Sequence, residues 1–260
     1  MQRRHLLLLA AAAPLGLNAQ VSDLADAINK AGRQRMLSQR MGKAWLAMVH
    51  QAEGRIAGTV LDKSMALFDR QLVELKAFAP SPEIRETYSA LEAAWSDYKT
   101  ALVGAAPSKA GATAVLRADA RVLGLAHQGT LQYEAAMGRP VGKLVNIAGR
   151  QRMLSQRMAK FYYAATLPVD TATAVAEIGK ARSEFLTAMD VLRQAPEATA
   201  RIREELALAD GQWLFFDQAL QRVQSGAAAT AKPLSDVFVT SENLLSVMDR
   251  VTDLYANVKS

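Results

Sequence analysis

The chain has 260 residues, half of them hydrophobic, no cysteine, and a formal net charge of +6. That length allows one large or two ordinary domains with a buried core, and the absence of cysteine excludes disulfides and thiolate metal sites. Ala, Leu, Arg, Glu, Gln and Met recur while β-branched runs bounded by turns are nearly absent, so the expected fold is all-α.

Residues 1–19 read as a targeting segment. Arg3 and Arg4 precede an apolar run from Leu6 to Leu17, and Ala19 offers a small residue at a cleavage point. The run is short for a bilayer span, so the expectation is a cleaved signal peptide, exported by the Sec or the twin-arginine route, and a periplasmic location; a retained N-terminal membrane anchor is the alternative. No later segment holds enough unbroken apolar residues to cross a membrane.

Four helices are expected next. Ser22 and Asp23 make an N-cap for a helix running to about His50. A second runs from about Glu53 to Phe78, with Ile56, Val60, Leu61, Phe68, Leu72 and Leu75 at helical spacing, and Pro80-Ser81-Pro82 stops it. The third carries Ile84, Tyr88, Leu91, Trp95, Tyr98 and Leu102; the fourth spans about Ala112 to Met137. Gly138 to Gly142 then forms a turn.

Beyond that turn the plan repeats. Residues 31–41 and 148–158 are identical, position for position, and Asn29 and Lys43 recur as Asn146 and Lys160 at the same separation. Breaks in the second copy fall at Leu167 to Asp170, Ala195 to Glu197 and Ser225 to Pro233. Two modules are expected, 20–138 and 141–260, each an antiparallel four-helix bundle, the pair packed as a pseudo-dimer through their first helices.

The repeated motif is unusual in two ways. From Asp26 to Glu53 no acidic residue intervenes, although Lys30, Arg33, Arg35, Arg40 and Lys43 all occur; the same holds from Glu134 to Asp170. Such helices cannot neutralise themselves through i,i+4 pairs, so an anion or another helix must supply the balance. Arg35 has Ala31, Gly32, Ser38 and Gln39 as its helical neighbours, and Arg152 has Ala148, Gly149, Ser155 and Gln156. A mid-helix glycine costs about 1 kcal/mol relative to alanine, which a close helix crossing would compensate. An arginine at such a crossing suits an oxyanion. For Arg33, Arg40, Lys43 and their equivalents, a solvated charge or structural ion pair is the competing reading. Met36, Met41, Met153 and Met158 read as core filler.

Catalytic groups are not evident: His50 and His127 are isolated, and no phosphate loop or nucleophile elbow occurs. The expectation is a protein that is not an enzyme, with no cofactor and no metal. Basic helices without interleaved aromatics argue against nucleic acid.

The string Asn-x-Ala-Gly-Arg-Gln-Arg-Met-Leu-Ser-Gln-Arg-Met-x-Lys, present twice, resembles the signature of the periplasmic PilJ-type sensor domain. That family includes the input domain of type IV pilus methyl-accepting transducers and, more distantly, nitrate/nitrite sensor kinases of the NarX type. Arg33-Gln34 and Arg150-Gln151 differ from the nitrate sensors and bring the chain closer to the pilus-transducer type. The resemblance implies paired four-helix bundles with an anion between their first helices. It carries ligand-binding roles onto Arg35, Arg152, Gly32, Gly149, Arg40 and Arg157; Ser38 and Ser155 join them as neighbours of the two arginines. The expected function is therefore an exported sensing protein that clamps a small inorganic or organic anion, nitrate or nitrite first, and relays occupancy to a membrane-bound sensor or transducer. The alternative is a ligand-free helical module docking on an acidic face of a receptor or of a pilus or chemotaxis component.

Overall fold

The computed structural model describes residues 20–224 and 230–258. The targeting segment and part of the Ser225–Pro233 break lie outside the described residues.

Eight α-helices follow one another with no strand among the described residues: α1 (Leu24–Val49), α2 (Gly54–Phe78), α3 (Pro82–Val103), α4 (Ala112–Met137), α5 (Pro140–Thr166), α6 (Thr171–Gln194), α7 (Ala200–Gln224) and α8 (Ala231–Ala256). Local chemistry sets their ends. Asp23 caps α1 by accepting from the Asp26 N–H at 2.9 Å. Ser81 caps α3, whose first residue is Pro82, where a missing N–H costs nothing. Gly138 closes α4 at a φ of 62°, a left-handed conformation natural to glycine, and Pro140 opens α5 two residues later. Pro233 falls inside the first turn of α8 rather than before it, for the same reason that Pro82 is tolerated.

Each half is a bundle, with α1 packed on α2 and α4, α3 on α4, α5 on α6 and α8, and α7 on α8. The halves meet mainly through α1 and α5, and each fourth helix also reaches the first helix of the other half. α1 and α5 consequently run through the middle of the molecule and are buried on nearly every side. The outer helices keep an ordinary amphipathic pattern. All six stripe residues of α3 are buried, whereas Ile56 of the α2 stripe is 52% exposed. The four motif methionines lie in the core.

Candidate functional site

Gly32 and Gly149 mark the point where α1 and α5 cross in backbone contact. A Cβ built on either would stand 3.8 Å from the Cα of the other. The same space holds the two arginines: a Gly32 Cβ would lie 3.3 Å from Arg35 Nη2 and 3.4 Å from Arg152 Nη2. Both side chains are fully buried. Both guanidinium groups therefore stand beside the glycine pair at the crossing.

Each arginine crosses to the opposite helix. Arg35 Nη2 donates to Asn146 Oδ1 at 2.7 Å and to the Asn146 carbonyl at 3.3 Å. Arg152 Nη2 donates to the Asn29 carbonyl at 3.0 Å. The repeated asparagine thus receives the repeated arginine of the other copy. The third contact differs between the halves. Arg152 Nη1 pairs with Asp249 Oδ1 of α8 at 2.6 Å, whereas Arg35 Nη1 lies 3.2 Å from His127 Nδ1 of α4. Among the described residues no carboxylate forms an ion pair with Arg35. The Nε atoms of both arginines are buried and have no acceptor.

These surroundings shift the titrations in consistent directions. Burial, then the neighbouring Arg150 and Arg152, pushes the Arg35 guanidinium down to about 9, which still leaves it charged at neutral pH. Arg152 is also lowered by burial, with Asp249 opposing the shift. Burial alone would raise Asp249, but Arg152 and Arg33 hold it below the ordinary carboxylate value. Burial, Arg35 and Arg150 together push His127 down to about 4, so it is neutral at physiological pH.

The remaining expected site residues are not gathered at the crossing. Arg40 binds Glu242 and lies within reach of the Ser64 hydroxyl, while Arg157 binds Glu177 at 2.5 Å and faces the Phe161 ring. Carboxylates on neighbouring helices have captured them. Ser38 and Ser155 donate back to the carbonyls of Arg35 and Arg152 at 2.9 and 2.8 Å, a bond inside their own helix that commits each hydroxyl proton to the backbone.

Other helices supply the missing acid, and much of it comes from the other half. On the α1 side, Glu242 pairs with Arg40 and Lys43, and Asp249 and Asp253 pair with Arg33, all from α8. On the α5 side, Lys160 pairs with the fully buried Asp119 of α4, while Arg150 and Arg157 pair with Glu184 and Glu177 of α6. Sequence reasoning missed His127, Asp249 and Glu242. The two fourth helices share little sequence, but Tyr133 and Tyr255, whose hydroxyls donate to the Leu75 and Leu192 carbonyls, would have set them in register. That register puts His127 in the place of Asp249.

Residues 17–121 and 135–247 each match the family model described as the N-terminal region of type IV pili methyl-accepting chemotaxis transducers, PilJ. Both matches start ahead of a motif helix and end within a fourth helix. No curated protein and no solved structure matches the chain. The two matches cover most of the chain, and their repeat coincides with the repeat of four helices. The protein belongs to the PilJ family of chemotaxis-transducer sensing domains and carries two copies of the domain in tandem.

Proposed function

We propose that the chain is an exported sensing protein, with modules 20–138 and 141–260, that binds a small oxyanion such as nitrate or nitrite where α1 crosses α5. The observation that carries this reading is the packing of Arg35 and Arg152 against one pair of glycines, with a direct carboxylate partner for only one of them. Two buried guanidinium groups repel each other, and an anion between them would turn that repulsion into attraction. The two buried Nε–H groups without acceptors support the same reading, because each unmet buried donor costs about 1–3 kcal/mol. Binding would offset the repulsion across the α1–α5 crossing and bias how the two bundles pair, a change that a membrane-bound transducer could read.

Calorimetric titration of the full chain with nitrate, nitrite and chloride tests the proposal. Saturable binding of one oxyanion, lost in Arg35→Ala, is the expected result. No binding of any of them, with the melting temperature of Arg35→Ala unchanged, would overturn it.

The docking module without a small ligand remains the second reading. The motif cations already satisfied by carboxylates of α4, α6 and α8 speak against further ligand contacts at those positions, and the same pairings leave those cations little free charge for an acidic partner. Thermal melts separate the two: one anion stabilising at low concentration speaks for a site, whereas weak effects that follow ionic strength speak for docking.

A further inference from the structure

The halves differ where each fourth helix faces the first helix of the other half. With Tyr133 and Tyr255 in register, α4 has Ala120, Gly124 and His127 where α8 has Glu242, Ser246 and Asp249. On the α8 side, two carboxylates from these positions lie against the cations of α1 and against Arg152. On the α4 side the equivalent positions carry no carboxylate. A cavity of about 340 Å³ stands there instead, between α4, α5 and α6, with the exposed Ala120 and Gly124 along its edge. That volume is within the range of small-molecule sites.

Its walls combine an apolar surface, from Leu123, Met153 and Leu154, with the cations Arg150, Arg157 and Lys180 and the carboxylates Glu177 and Glu184. His127 adds a donor. A guanidinium can only donate, so His127 Nδ1 must accept from Arg35, and the proton of the neutral ring resides on Nε2. Among the described residues Nε2 has no protein partner. Arg150 spends two nitrogens on Glu184, and Arg157 one on Glu177, which leaves N–H donors on each.

We infer that this cavity is a second binding site, distinct from the α1–α5 crossing, that takes a small organic monocarboxylate. Its carboxylate supplies what Glu242 and Asp249 supply on the α8 side, accepting from His127 Nε2 and the Arg150 and Arg157 guanidinium groups. Its apolar body lies on Leu123, Met153 and Leu154. Occupancy reaches the crossing through one side chain, since an acceptor on Nε2 polarises the ring and makes Nδ1 a stronger acceptor for Arg35.

The test is calorimetric titration of the full chain with benzoate and phenylacetate, with benzamide as the uncharged control. The pocket-filling variants are Gly124→Leu and Ala120→Leu. A Cβ on Gly124 would meet nothing within 4 Å, and leucine is a better helix former than glycine, so the variant should fold and melt no lower than the parent. The expected result is saturable binding of at least one of the two carboxylates, at least tenfold tighter than benzamide, and weakened at least tenfold by either leucine. Nitrate titrated into the same variants separates the two sites: failure of nitrate alone removes the oxyanion reading and leaves this one standing. Absence of saturable binding by both carboxylates, equal binding of benzamide, or unchanged affinity in the leucine variants would overturn the inference.

Discussion

Replacing His127 by aspartate would give Arg35 the partner that Arg152 already has. The repeat itself demonstrates the reach, because Asp249 in the equivalent position lies 2.6 Å from Arg152 and 3.1 Å from Arg33. A hydrogen bond to a charged group contributes about 1.5–3 kcal/mol, and the cost of burying the new carboxylate takes part of it back, leaving about 1–2 kcal/mol. For a chain of this size that corresponds to a rise in melting temperature of roughly 3–6 °C. The pH dependence gives a sharper signature. His127 has a folded value of about 4 against an ordinary 6.5, so the unfolded chain takes up the proton first and the parent loses stability as pH falls through that window. The aspartate variant lacks this loss. Its advantage should widen between pH 6.5 and about 4, then narrow below about pH 4 as the new carboxylate protonates. Scanning calorimetry across pH 3–8, with and without nitrate, measures both effects, and the variant's own carboxylate should blunt the nitrate response. A melting temperature below that of the parent at pH 7, or an undiminished nitrate response, would refute the reasoning.

Glu242→Gln should destabilise the chain by about 3 kcal/mol in urea unfolding, because it strands the fully buried Lys43. In the intact pair the two groups oppose each other. Burial would raise Glu242, but Lys43 and Arg40 hold it at about 2, a gain present above pH 4.5 and lost toward pH 2. Burial pulls Lys43 down to about 8 and returns much of that gain, so removing one partner should cost more than the intact pair contributes. Gly32→Val should cost about 1–3 kcal/mol by pushing α1 off α5, since even the first added carbon meets both guanidinium groups within 3.4 Å. Residues 20–138 expressed alone should dimerise or fail to fold, as read by size-exclusion chromatography and circular dichroism. That half would expose Arg33, Arg40 and Lys43 without the α8 carboxylates that neutralise them.

The acid-free stretches around the motif announced that the balancing charge must come from elsewhere, and it does. Nothing along the chain could say from where. Asp249 lies far from Arg152 in sequence, and its partnership depends on how α8 leans across onto α1 and α5. Arg40 and Arg157 are held away from the crossing for the same reason. A residue's neighbours on its own helix were legible, but the carboxylates that captured the two arginines stand on other helices.

Local chemistry written along the chain was enough for the helices, their breaks and the duplication, because caps, prolines and apolar periodicity act over a few residues. It also sufficed to single out Gly32 and Gly149, since a glycine inside a helix calls for a close neighbour. The difference between the halves belongs to the tertiary structure alone. Arg35 and Arg152 sit in identical sequence, yet one meets a histidine and the other an aspartate, because each is finished by a fourth helix outside the identical motif. Charge pairing in a buried seam is decided by which side chains arrive within a few ångströms, and only the packing of the eight helices brings them there.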